Sequence, residues 1–398
     1  MVKGFAAGAL AMLLFFAWLT AIRPAFTLFY ILALLLAMSW AWPRIAARRL
    51  RLERTLEFSN PTVGEEFKET FVVKRRGWLP APWVEVVDGG SVDGYQPGRV
   101  ISLGRGSVRW VSRGHFSRRG WARFGPTLLR LSEPFGLFSR EMRWQEQRQV
   151  LVYPRIWSLP EVMAPASERA GEAPRGGSWA DHPPESGGVR EYAPGDAFNR
   201  IHWGLSMHHQ TLMSKTFEQP LTADVWIILD LHAKSRWGNA PESTDEYAIS
   251  LAASVAAHVH ARGRQAGLIV NDAVGTVLEP HRAVRQDRVI LEYLAIAEPN
   301  GVEPLSRSRV WDRVRRLPRR ALVVVTASPD PAWVDALVLA RARGSTSLVY
   351  YIDASSFGGP EAHVSFDFGS DMDLVVVRQG DEFTRLTGTY AANAFRLA

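Results

Sequence analysis

The sequence predicts a multi-domain chain: a transmembrane helical hairpin, an antiparallel β-sandwich and a C-terminal α/β domain. Two long apolar runs open the chain, short alternating runs follow, and the last part alternates between strand and helix patterns. A chain of 398 residues is also longer than one ordinary compact domain. The predicted boundaries are residues 1–43 for the hairpin, 44–157 for the sandwich, 158–186 for a linker or mobile loop, and 187–398 for the α/β domain.

Composition excludes some classes of site. The chain has no cysteine, so it has no disulfide framework, thiolate metal site or thiol nucleophile. Hydrophobic residues make up 47% of the sequence, enough to fill real cores. The formal net charge of +7 comes almost wholly from arginine, because the chain has few lysines.

The first 42 residues predict two membrane spans. Lys3 and Arg23 are their only charged residues, and the apolar runs 4–22 and 25–42 each approach the ~20 residues that a spanning helix needs. A cleaved signal peptide is the alternative for the first run, but a second span follows at once. The positive-inside rule predicts a two-pass protein of the cell inner membrane with both termini cytoplasmic. The arginines that set this orientation are Arg44, Arg48, Arg49, Arg51 and Arg54.

The region 50–157 predicts an antiparallel, immunoglobulin-like sandwich, because short alternating runs are separated by Gly- and Pro-containing turns. The strand candidates are residues 67–73, 83–87, 107–112, 122–124, 128–131 and 149–153. A basic cluster with interleaved aromatics either binds nucleic acid or anionic lipid, or is a solvated sheet face. It comprises Arg105, Arg109, Arg113, Arg118, Arg119, Arg123 and Arg130, with Trp110, Phe116 and Trp121.

After residue 223 the pattern predicts a parallel sheet with crossover helices. The strand candidates are residues 225–231, 268–271, 321–326, 347–352 and 374–378. Ser243 or Thr244 is expected to cap a helix that ends at Ala261, and a second helix is expected over residues 331–343 with Pro331 in its first turn.

Residues 187–203, called here the signature segment, combine arginines, carboxylates, aromatics, a histidine and a Pro-Gly turn directly before the α/β pattern. Arginine forks two hydrogen bonds onto a carboxylate, so this segment is either a structural latch or a recognition surface for a partner. We expect Arg190, Tyr192 and Trp203 to be structural and Asp196, Arg200 and His202 to lie nearer the contact surface. The full set of candidate binding residues is Arg190, Glu191, Tyr192, Pro194, Gly195, Asp196, Arg200, His202 and Trp203.

The pattern Arg-Glu-Tyr-x-Pro-Gly-Asp followed by Arg-Ile-His-Trp resembles the signature of the domain-of-unknown-function-58 family. Residues 132–138 (Ser-Glu-Pro-Phe-Gly-Leu-Phe), 150–155 (Val-Leu-Val-Tyr-Pro-Arg) and 212–218 also look like landmarks of that family. Such proteins are commonly encoded beside MoxR-type AAA+ ATPases. The resemblance therefore implies a membrane-anchored cytoplasmic adaptor or scaffold that works with such an ATPase in assembling or maturing a client complex.

The α/β region resembles a von Willebrand factor type A domain, a Rossmann-like fold. Such domains often hold a divalent cation through Asp-x-Ser-x-Ser after the first strand, where this chain has Asp230, His232 and Lys234. An imidazole and an ammonium are poor ligands for a hard cation, so no bound metal is expected. Asp230 either binds a ligand at the strand end, caps a loop or pairs with Lys234.

We expect no enzyme activity and no cofactor from the residues. There is no Gly-x-x-x-x-Gly-Lys phosphate loop. The alternative is a hydrolase that uses Ser206 with the nearby His208 and His209, since residues 204–208 partly resemble a nucleophile elbow. A third hypothesis is a module that binds anionic lipid or nucleic acid without sequence specificity.

Overall fold

The computed structural model forms two compact units, residues 1–155 and 156–398, described separately below. The described residues are 8, 11–12, 14–16, 18–19, 23–48, 50–59, 61–77, 79–104, 106–159, 186–191, 203–209, 211–217, 224–280, 286–317, 320–361 and 373–381.

One described helix, α1 (Arg23–Ala47), is long and apolar enough to cross a membrane, with a mean hydropathy of 1.9 in its most apolar window. The described residues between 8 and 19 are also helical. The end of α1 packs into the first unit: Ala46 and Ala47 are buried there, and Trp42 Nε1 donates to the Pro80 carbonyl at 2.9 Å. The apolar N-terminal helix is thus continuous with a folded domain, while the two-span hairpin remains a prediction.

The first unit contains antiparallel sheets. The strands are β1 (Leu50–Phe58), β2 (Glu66–Arg75), β3 (Ala81–Asp88), β4 (Arg99–Leu103), β5 (Gly106–His115), β6 (Gly120–Phe124), β7 (Thr127–Ser132), β8 (Ser139–Trp144) and β9 (Arg148–Val152). The strand order is β1-β2-β5 in one sheet and β4-β3-β7-β8 in another, and β6 pairs with β9.

One hydrophobic core joins the three-stranded and four-stranded sheets. Phe71 of β2 and Trp110 of β5 stack with ring centroids 5.0 Å apart, and Val84 and Leu131 contribute from β3 and β7. All six predicted strands are present: five extend beyond the predicted bounds, and β9 is shifted by one residue toward the N-terminus. Strands β1, β4 and β8 were not predicted from the sequence; in β1 and β8, charged residues interrupt the apolar pattern.

The second unit contains a six-stranded sheet. Its strands are β12 (Val225–Asp230), β15 (Ala266–Asn271), β16 (Val277–Leu278), β17 (Ala321–Thr326), β18 (Thr346–Ile352) and β19 (Asp373–Val377). Their order in the sheet is β16-β15-β12-β17-β18-β19, and all are parallel except the edge strand β16. Two shorter ladders pair β10 (Ser186–Glu191) with β11 (Met213–Phe217) and β13 (Gly238–Asn239) with β14 (Glu242–Ser243). Strands β12, β15 and β17 are buried throughout, as expected for strands with both faces covered.

Helices cover both faces of this sheet. The described helices of the unit are α2 (Trp203–His209), α3 (Thr244–Ala261), α4 (Gln286–Ile296), α5 (Val310–Arg316) and α6 (Trp333–Ala342), with 3₁₀ turns at Ala233–Ser235, Leu305–Arg307 and Ala354–Phe357. Side chains of α3 and α4 belong to the hydrophobic core on one face of the sheet, and those of α5 and α6 belong to the core on the other face.

The predicted parallel sheet and its two helices are confirmed, with two corrections. Helix α6 begins at Trp333, because Pro331 lies in the preceding turn and its carbonyl accepts from Val334 N at 2.9 Å. Ser243 is the N-cap residue of α3, but its side chain makes no capping hydrogen bond. The predicted linker falls mostly on residues 160–185, which lie outside the described part, whereas Leu159 is buried in the α/β core.

Candidate functional site

The carboxyl ends of β12 and β17 meet at the point where the strand order reverses. The chain adds β15 on one side of β12 and later adds β17 on the other side. In open α/β sheets this reversal is where ligands commonly bind. Asp230 and Thr326 are the last residues of these two strands, so they occupy the position where a site is expected.

Asp230 is 5% exposed and accepts hydrogen bonds on both carboxylate oxygens. Oδ1 accepts from Asn271 Nδ2 at 2.8 Å and from His232 N at 3.2 Å, and Oδ2 accepts from Thr326 Oγ1 at 2.7 Å. Burial raises the pKa of Asp230, while the hydrogen bonds from Asn271 and Thr326 and the backbone N–H of His232 oppose that rise. The carboxyl group therefore joins the ends of three neighbouring strands.

Residues 301–303, called here the strap, cross the ends of β12 and β15. Gly301 N donates to the Leu231 carbonyl at 2.9 Å, and Ala233 N donates to the Gly301 carbonyl at 3.0 Å. Asn271 Nδ2 also donates to the Glu303 carbonyl at 3.0 Å. A Cβ atom at Gly301 would collide with the Asn271 carbonyl oxygen, so only glycine fits this crossing. The strap and the three hydrogen bonds occupy the space around Asp230.

Of the roles predicted for Asp230, loop capping is the one that the geometry shows. The bond from His232 N to Oδ1 is the Asx type of turn that opens the following 3₁₀ segment. Lys234 is exposed and forms no ion pair with any residue in the described part of the chain. No group of three His, Asp or Glu side chains suited to a metal ion occurs among the described residues, and metal independence remains a prediction.

The signature segment begins as a strand. Strand β10 pairs antiparallel with β11, with Arg190 opposite Ser214 and Glu191 opposite Met213. The downstream landmark 212–218 therefore supplies the partner strand of the signature segment. The chain segment that connects β10 to β11 includes helix α2, which is residues Trp203–His209. Tyr192, Pro194, Gly195, Asp196, Arg200 and His202 lie outside the described residues.

Helix α2 presents apolar side chains to solvent. Trp203 is 62% exposed and Met207 is 82% exposed, and the two are four residues apart on one helix face. The indole of Trp203 therefore lies largely on the surface. The structural role expected for Trp203 stays a prediction.

Ser206 lies within α2 and is largely buried. Its Oγ accepts a hydrogen bond from Met213 N at 2.8 Å, which joins the middle of α2 to the start of β11. A nucleophile elbow places serine on an exposed strand-to-helix turn. The described surroundings of Ser206 thus differ from that geometry.

A buried charge network in the first unit was not foreseen from the sequence. Arg54 contacts both carboxylate oxygens of Glu69, and its Nη1 donates to Asp88 Oδ1 at 2.8 Å and to Thr127 Oγ1 at 3.1 Å. Tyr95 Oη donates to Glu69 Oε2 at 2.7 Å. Burial alone would lower the pKa of Arg54, yet Glu69 and Asp88 raise it above the usual value. Arg54 is therefore an internal cation rather than one of the arginines flanking a membrane span.

Among the described residues, the basic cluster of the first unit does not form one aromatic and basic surface; Arg105, also predicted in this cluster, lies outside the described residues. Trp110 and Phe116 are buried in the cores, which leaves Trp121 exposed. Arg130 donates to Glu141 and Glu85 at 3.0 and 3.1 Å. Nucleic-acid bases stack on exposed aromatic rings, whereas the rings of Trp110 and Phe116 are covered. The described arrangement thus favours a solvated sheet face over a nucleic-acid platform.

The 132–138 landmark is a turn that is held from inside. The buried carboxylate of Glu133 accepts from the backbone N–H groups of Phe135, Leu137 and Phe138. The 150–155 landmark includes the end of β9. The hydrogen bonds to Glu133 therefore give the 132–138 landmark a structural role within the first unit.

Most of the signature segment and five strands of the sheet that follows it fall within one family model. Residues 188–353 match the family described as "Protein of unknown function DUF58". The DUF58 match starts in β10 and ends just after β18, so it includes Asp230, the strap and α2 but not the first unit. The sequence resemblance is thereby supported for the second unit.

A protein of Bacillus subtilis (strain 168) described as "Uncharacterized protein YeaD" is 22% identical over 274 residues, which cover 65% of this chain and 65% of that protein. A solved ApaA protein from Bordetella pertussis is 12% identical, covering 26% of this chain and 93% of that chain, with a TM-score of 0.19. A late embryogenesis abundant protein is 11% identical, covering 28% and 83%, with a TM-score of 0.18. These two TM-scores are too low to support a fold assignment.

Proposed function

We propose that this protein is a membrane-anchored cytoplasmic adaptor that docks a MoxR-type AAA+ ATPase through its signature segment and helix α2, in the assembly or maturation of a client complex. The ATPase enters from the resemblance of the signature segment to its family. The apolar helix α1 and the DUF58 match over residues 188–353 support the anchor and the family. In this proposal the chain itself catalyses no reaction.

We propose the finer fold assignments on the same basis. The antiparallel sheets of the first unit and their shared core support an immunoglobulin-like sandwich. The parallel sheet with helices on both faces, and Asp230 at its reversal point, support a von Willebrand factor A-like domain. Two apolar runs in the sequence support a two-pass anchor in the inner membrane.

The observation that carries the docking proposal is the exposed apolar pair on α2. Trp203 and Met207 lie on one face of α2 within the DUF58 match, and Leu212 is exposed close by in the sequence. Tryptophan is enriched at binding hot spots, and methionine adapts to varied partner surfaces. Water contacts these side chains in the isolated chain, so covering them would favour association.

Replacing Trp203 by Ala should abolish or strongly reduce co-purification of the ATPase while leaving the fold intact. Truncating a hot-spot tryptophan typically costs ~2 kcal/mol or more of binding free energy. An exposed substitution usually changes the free energy of unfolding by less than ~0.5 kcal/mol. Co-purification from native membranes and melting of the purified chain measure the two effects.

The matched control is Leu339→Ala on α6, which removes another exposed apolar side chain of the same unit. It should leave ATPase recovery unchanged. Asp196→Ala and Arg200→Ala extend the test to the charged part of the signature segment. Folded variants at Trp203, Asp196 and Arg200 that all retain the ATPase would refute the docking proposal.

A topology experiment tests the anchor. A reporter fused after Ala398 should behave as cytoplasmic, and one inserted between Arg23 and Pro24 should behave as external, because arginine crowds the exit of α1. Arg44, Arg48 and Arg51 still provide this bias although Arg54 is buried. External activity of the C-terminal fusion would rule out the proposed orientation.

A further inference from the structure

A cavity of about 490 Å³ lies in the second unit beside the carboxyl end of β15. This volume is within the range of pockets that hold small molecules. Ile269 and Val310 line it and are buried, whereas Val274 and Val302 line it and are largely exposed. The cavity thus has covered apolar walls and an open side.

Three arginines line the same cavity. Arg309, Arg313 and Arg316 follow the spacing i, i+4 and i+7, which places them along one face of α5, with Arg309 at its N-cap position. All three are exposed, and none forms an ion pair with a residue in the described ranges. Like charges at this spacing destabilise a helix. A bound anion would offset that repulsion.

Two of the three acidic residues that line the cavity have other partners. The Asp272 carboxylate accepts from the backbone of its own turn and from Thr276 Oγ1 and Tyr293 Oη, both at 2.7 Å. Asp312 is paired with Arg315 at 2.6 Å. Glu303, in the strap, is exposed and adds one negative charge. The three guanidinium groups therefore remain available as charged hydrogen-bond donors at the cavity.

We propose that this cavity binds a small organic anion with two oxyanion groups, held by Arg309, Arg313 and Arg316 and packed against Ile269 and Val310. Guanidinium groups bind phosphate or carboxylate through two parallel hydrogen bonds. The outer two arginines are seven residues apart, about 10 Å along a helix, so a ligand with separated charges can engage both. This site contains no residue of the signature segment and does not depend on the adaptor proposal.

Calorimetric titration of the full chain in non-ionic detergent and phosphate-free buffer tests the proposal. The probes are inorganic pyrophosphate and succinate, which separate a phosphate ligand from a carboxylate ligand. Saturable binding of either is expected. Arg313→Gln should weaken it about tenfold, since one charge-assisted hydrogen bond is typically worth at least that factor.

The matched control is Arg307→Gln, which removes the same charge two residues before Arg309 but outside the cavity lining. It should change the affinity by less than about twofold, as expected for a screened surface charge. If Arg313→Gln is less stable than the wild type, Arg309→Gln and Arg316→Gln replace it. Equal weakening by control and cavity variants, or no saturable binding of either probe, would overturn the proposal.

Discussion

Replacing Arg54 by Met should destabilise the first unit by roughly 3 to 5 kcal/mol, the usual cost of removing one partner from a buried ion pair. The guanidinium carbon of Arg54 lies 5.2 Å from the ring centroid of Phe71 and 6.0 Å from that of Phe124. Methionine keeps an apolar side chain at this position but removes the charge. Glu69 and Asp88 are both buried and would lose their shared cation. A loss of this size approaches the whole stability of many domains.

Hydrogen–deuterium exchange of β2 in the full chain measures this effect, because exchange reports the opening free energy of a local region. The control is Arg51→Met on the same strand, an exposed position with the same change of charge. It should stay within about 0.5 kcal/mol of the wild type. Equal protection of β2 in the two variants would show that the network is not stabilising.

A combined variant separates the charge from the packing. Adding Glu69→Gln and Asp88→Asn to Arg54→Met should recover much of the lost stability, because the substitutions then leave no unpaired carboxylate in the core. If packing of the arginine stem were the main contribution, the additional substitutions would recover nothing. Recovery thus identifies stranded charge as the cause.

The Arg54 network shows what a sequence pattern leaves out. Alternation along β1 places Leu50, Leu52 and Arg54 on one face, yet an arginine near a membrane span is ordinarily assigned to the flank. Its partners Glu69 and Asp88 come 15 and 34 positions later. Periodicity describes which face a residue occupies within one strand but not which side chains other strands bring to it.

The parallel sheet was readily predicted because its central strands are continuous apolar runs. Helices α4 and α5 were missed because one is short and both carry charges that interrupt the apolar spacing. The position of Asp230 at a strand end was also predictable. Its partners Asn271 and Thr326 were not, since they lie 41 and 96 positions away and meet it only through strand order.

Asp230 provides the second test. Asp230→Ala should destabilise the parallel sheet by roughly 3 kcal/mol, because His232 N, the Asn271 amide and the Thr326 hydroxyl each lose an acceptor worth about 1 kcal/mol. Asp230→Asn should cost much less, since the amide keeps one oxygen acceptor and can donate to Thr326 Oγ1. Hydrogen–deuterium exchange of β12 in the full chain measures the loss of stability in each variant. Equal losses in the two variants would contradict this account.

The difference in stability between the wild type and Asp230→Asn should depend on pH. Burial raises the pKa of Asp230 in the folded chain, so the folded state binds a proton more readily than the unfolded state. The protonated carboxyl group therefore contributes its full stabilisation below the ordinary Asp pKa of about 4. This stabilisation is lost as the pH rises through the pKa that Asp230 has in the folded chain. Asparagine cannot ionise, so protection of β12 in Asp230→Asn should improve relative to the wild type as pH rises from about 4 toward neutrality. Parallel pH profiles for the two proteins would mean that Asp230 remains ionised in its buried position, stabilised by its three hydrogen bonds alone.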